Sequence, residues 1–107
     1  MSSFYRVQLR SYDLTEESVS WPWGLSREQA EEEGLLLDGV SCCDSATALY
    51  DYFQAQGGAD DELCYVIHFE GRYVGHDGEA DVAQFEREIE RLAWSDFAAK
   101  VESGELE

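Results

Sequence analysis

The stretch from Glu62 to Asp81 limits the fold more than any other part of the chain, because it combines a buried-strand composition with candidate turns. Leu63 to Phe69 is rich in aromatic and β-branched residues, which is typical of a strand buried on both faces. Turn and strand segments alternate after it, at Glu70-Gly71 (turn), Arg72–Gly75 (strand), His76-Asp77-Gly78 (turn) and Glu79–Ala83 (short strand). The sequence therefore predicts a central β-hairpin or meander.

Three segments on either side of this unit carry helical signals. Ser26 and Gln29 form a capping-box pattern, which predicts a short helix over Arg27–Glu33. Asp44 or Ser45 can cap a second helix that runs to about Gln56, with an apolar stripe of Ala46, Leu49, Tyr50 and Phe53. A third helix is predicted from Gln84 to about Val101, where apolar residues recur at helical spacing: Phe85, Ile89, Leu92, Ala93, Phe97 and Val101.

The N-terminal segment completes the predicted architecture. Residues Phe4 to Tyr12 alternate between two faces, which predicts a half-buried strand, and a loop is expected over Asp13–Gly24. The whole chain, residues 1–107, is therefore expected to form one small α+β domain, with a mainly antiparallel sheet, a central hairpin or meander and two main helices packed on it. Residues 102–107 are expected to be a frayed tail.

Two tryptophans stand in the predicted loop, at Trp21 and Trp23. Large aromatic side chains in a polar loop need apolar cover, so one interpretation is that they close one end of the core. The other is that they form an exposed anchor for a partner, since tryptophan is enriched at interface hot spots.

The composition is strongly acidic, with 24 acids against 7 bases and a formal net charge of -17. Such a surface repels nucleic acid and anionic membranes and attracts cationic partners. Three explanations are open: solubility, adaptation to high salt, and a surface that imitates nucleic acid and occupies a basic groove on another protein.

The leading hypothesis is a small, cytoplasmic, non-catalytic protein that binds a basic partner, as an inhibitor or nucleic-acid mimic of a nucleic-acid-handling protein. It requires no cofactor and no metal. Its binding surface would use Trp21, Trp23 and the clustered carboxylates of Glu28, Glu31, Glu32, Asp60, Asp61, Glu62, Asp77, Glu79, Asp81, Glu86 and Glu90.

The three cysteines do not form a disulfide framework, because their number is odd and Cys42 and Cys43 are adjacent. A reducing cytoplasm fits this pattern, and the sequence shows neither a signal peptide nor an apolar run of the roughly 20 residues that span a bilayer. Because Cys42 and Cys43 precede a predicted helix N-terminus, the helix dipole is expected to lower their pKa. Cys64, His68 and His76 lack the paired spacing of a zinc site.

Three patches in chain order resemble the motifs of ADP-ribosyltransferases: Tyr5-Arg6-Val7, Val40-Ser41-Cys42-Cys43 and Asp77-Gly78-Glu79-Ala80-Asp81-Val82. The resemblance implies NAD as the ligand. It implies that Arg6 binds the dinucleotide phosphates, that Ser41 supports the site, and that Glu79 stabilises the ribosyl cation as nicotinamide leaves. The second patch has one serine where the family shows a Ser-Thr-Ser pattern.

Overall fold

A four-stranded antiparallel sheet forms the centre of the computed structural model, which describes residues 2–11, 19–22, 24–78 and 80–106. The elements in chain order are β1 (Ser2–Leu9), β2 (Val19–Ser20), α1 (Arg27–Glu32), β3 (Leu37–Asp38), β4 (Val40–Cys42), α2 (Ala46–Gln54), β5 (Cys64–His76), β6 (Asp81–Leu92) and α3 (Trp94–Glu102). The predicted α+β class, with two longer helices on an antiparallel sheet, is confirmed.

The strand order in the main sheet is β1-β5-β6-β4, and β2 pairs with β3 in a separate two-stranded sheet. The outer strands of the main sheet also approach each other. Tyr5 of β1 and Cys43, just after β4, exchange two backbone hydrogen bonds of 2.8 Å. The sheet is therefore curled, and one short bridge joins its two edges.

Two apolar clusters use opposite faces of the sheet. The inner cluster consists of Phe4, Val40, Cys42, Tyr65, Ile67, Phe69 and Ala83, with Phe85 packed against it. The helix-side cluster is built on Ala46, Leu49, Val66, Trp94 and Phe97, and it packs α2 and α3 on the sheet. Because Tyr65 and Ile67 belong to one cluster and Val66 to the other, the prediction of a strand buried on both faces is confirmed for this part of β5.

Local capping signals place α1 and α2 where the sequence predicts them. Both hydrogen bonds of the Ser26–Gln29 capping box are present, and α1 ends one residue before the predicted Glu33. Ser45, rather than Asp44, caps α2 by accepting a hydrogen bond from Ala48 N. β1 begins at Ser2, before the predicted Phe4, and ends at Leu9, before the predicted Tyr12.

The predicted turn at Glu70-Gly71 is wrong, because β5 continues through it to His76. Gly71 serves a different purpose: an added Cβ would lie 2.6 Å from the backbone oxygen of Gln84, so glycine permits a close approach between β5 and β6. The turn of the hairpin is the second candidate, after His76, and the strand that follows it is much longer than the predicted Glu79–Ala83 segment.

The predicted helix over Gln84–Val101 is also wrong, because β6 occupies its first half and α3 begins only at Trp94. The pairing of β6 with β5 skips residues 86 and 89, so two irregularities interrupt the alternation of the strand. Phe85, Ile89 and Leu92 have helical spacing in the sequence, but Phe85 packs against the inner cluster and Leu92 against the helix-side cluster, on the opposite face of the sheet. Ile89, expected in a helix core, is 42% exposed.

The ion pairs of β6 follow from the same pairing. Arg91 bonds Glu88, three residues earlier on the same strand, at 2.6 Å. Arg87 bonds Glu70, its partner in the register of the adjacent β5.

Candidate functional site

Arg6 and Ser41 line one pocket of about 180 Å³, which is called the Arg6–Ser41 pocket below. Four parts of the fold contribute to it: β1, β4 with the residue after it, α2, and the turn between β5 and β6. Its lining residues are Arg6, Val7, Ser41, Cys42, Cys43, Leu49, Tyr52, Phe53, Asp77 and Ala80.

The guanidinium of Arg6 is held at the point where β1 and β4 separate. The Tyr5–Cys43 bridge is isolated, so no regular ladder continues between these strands in the described chain. Arg6 Nη1 instead donates to the backbone oxygen of Ser41 at 2.7 Å and to its Oγ at 3.0 Å. Arg6 Nε donates to Oε1 of Gln8, whose side chain is fully buried, at 2.7 Å. These bonds fix the cation at the pocket wall.

The β5–β6 turn supplies the acidic part of the pocket. Asp77 N donates to Ala80 O at 3.1 Å, and Asp77 Oδ1 accepts from Ala80 N at 2.8 Å. Asp77 and Ala80 both line the pocket. Glu79 and Trp23, two of the predicted site residues, lie outside the described residues.

Two aromatic residues of α2 cover the apolar part of the pocket. Tyr52 is 39% exposed, and its ring meets that of Phe53 edge-on with centroids 5.2 Å apart. Sequence patterning predicted Phe53 as a core residue but did not identify Tyr52. The signal that could have found it is an aromatic residue on the polar face of a helix, next to a residue of the core stripe.

The two cysteines in the pocket do not have the lowered pKa that the helix dipole predicted. Burial and the carboxylate of Asp81 raise the pKa of Cys42 to about 12 and that of Cys43 to about 11. Both thiols are therefore protonated at neutral pH and are poor nucleophiles. They also contribute to different clusters, Cys42 to the inner one and Cys43 to the helix-side one.

The histidines and cysteines do not converge on a metal. Among residues 2–11, 19–22, 24–78 and 80–106, no group of three or more His, Cys, Asp or Glu side chains could hold one. His68 stacks on Tyr5, whereas His76 accepts a hydrogen bond in the β5–β6 turn.

The predicted acidic binding residues occupy several separate parts of the surface. Glu28, Glu31 and Glu32 are exposed on α1, and Glu86 and Glu90 are exposed on β6. The groups Asp60–Glu62 and Asp77–Asp81 flank opposite ends of β5, a strand of 13 residues. At about 3.3 Å per residue, such a strand separates them by up to about 40 Å. Trp21 is half-buried.

Two acids of the 60–62 group have structural partners. Asp61 Oδ1 accepts a hydrogen bond of 3.1 Å from Ser95 N, which caps α3 from another part of the chain. The cap residue of α3, Ala93, has no side chain that could do so. Asp60 Oδ1 accepts from Glu62 N at 2.8 Å and organises the turn before β5.

Comparison with protein-family models, with curated proteins and with solved structures gives no match to this chain. None of the helices in the described ranges is long and apolar enough to cross a membrane.

Proposed function

We propose that the Arg6–Ser41 pocket binds a dinucleotide of the NAD type. The observation that carries this proposal is the contact between Arg6 and Ser41. The resemblance to ADP-ribosyltransferases predicts both as site residues, although they are 35 positions apart in the sequence. Their side chains form a hydrogen bond of 3.0 Å in one pocket. A guanidinium recognises phosphate oxygens with charge-assisted hydrogen bonds, which suits the role that the resemblance implies for Arg6.

The size and lining of the pocket fit one portion of such a ligand. Pockets that enclose a whole drug-sized molecule measure roughly 300–1,000 Å³, and this one measures about 180 Å³. Arg6 would face a phosphate, Asp77 can accept a hydrogen bond from a ribose hydroxyl, and Tyr52 and Phe53 offer aromatic surface to a ring. The resemblance makes Glu79 the residue that assists cleavage of the bond between nicotinamide and ribose.

Calorimetric titration with NAD tests this proposal. We expect Arg6→Ala to weaken binding about tenfold or more, because a hydrogen bond to a charged group contributes about 1.5–3 kcal/mol. Arg72→Ala is the matched control, since it removes an exposed arginine outside the pocket lining. Circular dichroism checks that each variant is folded. Absence of heat with the wild type, or equal affinity in Arg6→Ala, would refute the proposal.

A second candidate function is favoured by the net charge of -17. In this alternative, exposed carboxylates on α1 and β6 bind a basic surface of a nucleic-acid-handling protein, and the affinity falls steeply with salt. The separation of the acidic groups along β5 counts against one compact acidic patch. If a pull-down with this protein at low salt retains no basic partner, the protein lacks this function. Unfolding in dilute buffer would instead favour adaptation to high salt, where acid repulsion is screened.

A further inference from the structure

The lining of the Arg6–Ser41 pocket combines two opposite charges. Among the described residues that line it, Arg6 is the one basic side chain and Asp77 the one acidic side chain. Arg6 belongs to β1, whereas Asp77 lies in the turn between β5 and β6, so separate parts of the fold supply the two charges. Because the pocket measures only about 180 Å³, a ligand that fills it reaches both.

The Arg6 end of the pocket suits a carboxylate. A guanidinium has five N–H donors, and its bonds to Ser41 and Gln8 hold it in place. Ser41 Oγ accepts from Arg6 Nη1 at 3.0 Å, so its own hydroxyl hydrogen can be donated to a ligand oxygen beside the guanidinium. Donors of this kind at neighbouring positions recognise carboxylate oxygens through charge-assisted hydrogen bonds.

The Asp77 end of the pocket suits an ammonium group. Asp77 Oδ1 accepts a hydrogen bond of 2.8 Å from Ala80 N, and Asp77 N donates to Ala80 O at 3.1 Å, so the turn fixes the position of the carboxylate. The two oxygens of a carboxylate together accept about four hydrogen bonds, and an ammonium donates three. The net charge of -17 also favours the approach of a cationic group.

The rest of the lining is mostly apolar and encloses little space. Val7, Leu49 and Phe53 line the pocket and belong to the helix-side cluster or pack against it. A volume of about 180 Å³ equals that of roughly six water molecules in the liquid, at about 30 Å³ each. This volume suits a short aliphatic chain that carries two charged groups. An apolar lining with a few polar groups is also the usual composition of a small-molecule site.

We infer that the pocket binds a free α-amino acid with a short aliphatic side chain, such as valine. The carboxylate of the ligand lies against Arg6 and Ser41, its ammonium lies against Asp77, and its side chain lies against the apolar lining. The amino acid occupies the same space as the dinucleotide, so the two ligands compete. The inference rests on the proposed function only for this competition.

Backbone amide signals of the full chain, followed during titration with three related ligands, test the two charged contacts. L-valine carries both charges, whereas isovalerate lacks the ammonium and isobutylamine lacks the carboxylate. We expect saturable shifts at Ser41 and Ala80 with L-valine. Each analogue should bind about tenfold or more weakly, because each loses hydrogen bonds to a charged group. An absence of saturable shifts with L-valine, or an equal affinity for either analogue, would overturn the inference.

The variant Asp77→Asn tests the ammonium contact from the side of the protein. Asparagine keeps an oxygen that can accept from Ala80 N, but it removes the charge. We expect the affinity for L-valine to fall about tenfold or more and the affinity for isovalerate to change little. Asp51→Asn is the matched control, since it removes an exposed carboxylate of α2 outside the lining. Circular dichroism checks that both variants are folded. Equal affinity of Asp77→Asn and the wild type for L-valine would overturn the inference.

Calorimetric titration of NAD in the presence of L-valine tests the competition. We expect L-valine to raise the apparent Kd of NAD, and isobutylamine at the same concentration to have less effect. If NAD binds and a saturating concentration of L-valine leaves its affinity unchanged, the shared site is overturned while the proposed function stands. If L-valine binds with the expected selectivity and NAD does not bind, the proposed function is refuted while the amino-acid site stands.

Discussion

Replacing His68 with phenylalanine tests how much a buried imidazole costs this fold. The ring of His68 stacks on Tyr5, with centroids 4.1 Å apart and an interplanar angle of 6°. Its Nε2 atom is buried and has no hydrogen-bond partner among the described residues. A buried polar atom without a hydrogen-bond partner lowers the free energy of unfolding by about 1–3 kcal/mol. Phenylalanine keeps the stacked ring and replaces this nitrogen with a C–H group. After a small cost for the larger ring, we expect the free energy of unfolding to rise by about 1 kcal/mol at pH 8.

The difference in the free energy of unfolding between His68→Phe and the wild type should increase in acid. Burial lowers the pKa of His68 below its ordinary value of 6.5, and the nearby carboxylate of Glu90 opposes this only in part. The unfolded chain therefore binds the proton more strongly than the folded protein does. Wild-type stability from this group is constant above pH 6.5 and decreases as the pH falls from there toward the lowered folded pKa. The phenylalanine variant lacks this loss.

Urea denaturation followed by circular dichroism, at several pH values between 8 and 5, measures both effects. Comparison of the two proteins at each pH cancels the titration of the many carboxylates. His68→Gln is the control, because it keeps a polar side chain and removes the titration. The reasoning is refuted if His68→Phe is less stable than the wild type at pH 8, or if the difference between them stays constant down to pH 5.

Three further variants test the packing. Gly71→Ala should lower the free energy of unfolding by about 1–3 kcal/mol in urea titrations, because the new Cβ would lie 2.6 Å from Gln84 O. Phe97→Ala should lower it by about 3–5 kcal/mol, since this fully buried ring joins α3 to the sheet. Asp61→Ala should lower the melting temperature at pH 7 by removing the cap of α3. Because the hydrogen bonds to Ser95 lower the pKa of Asp61, that contribution is present above its ordinary pKa and is lost as the pH falls through the lowered value.

Each of these variants has a result that contradicts its reasoning. An unchanged stability of Gly71→Ala would mean that β5 and β6 do not approach so closely. A loss below about 1 kcal/mol in Phe97→Ala would mean that α3 does not depend on this contact. An Asp61→Ala defect that persists equally in strong acid would point to a cause other than the capping carboxylate.

The elements that the sequence predicted correctly are those with local signals. Ser45 and the apolar stripe identify α2, and alternation identifies β1. β6 has no such signal, because the skipped residues 86 and 89 interrupt its alternation and its apolar residues Phe85 and Leu92 pack on opposite faces of the sheet. Gly71 looks like a turn residue for a similar reason: the close backbone approach that requires glycine depends on Gln84, 13 positions later.

Sequence reasoning predicted the members of the candidate site whose residue type alone suggests a role. It did not predict properties that depend on tertiary contacts or burial. The motif order nominated Arg6 and Ser41, and these meet. The clustering of acidic residues, by contrast, placed Asp61 on a binding surface, although its carboxylate caps α3, a contact between distant segments. The dipole argument for Cys42 failed because burial outweighs a helix terminus.

The most direct test of the account is to map where NAD binds, using the backbone amide signals of the full chain during titration. The Arg6–Ser41 pocket predicts saturable shifts concentrated at Arg6, Ser41, Asp77 and Ala80, with little change on α1. An absence of shifts at high NAD concentration, or shifts confined to the exposed acids of α1 and β6, would contradict it.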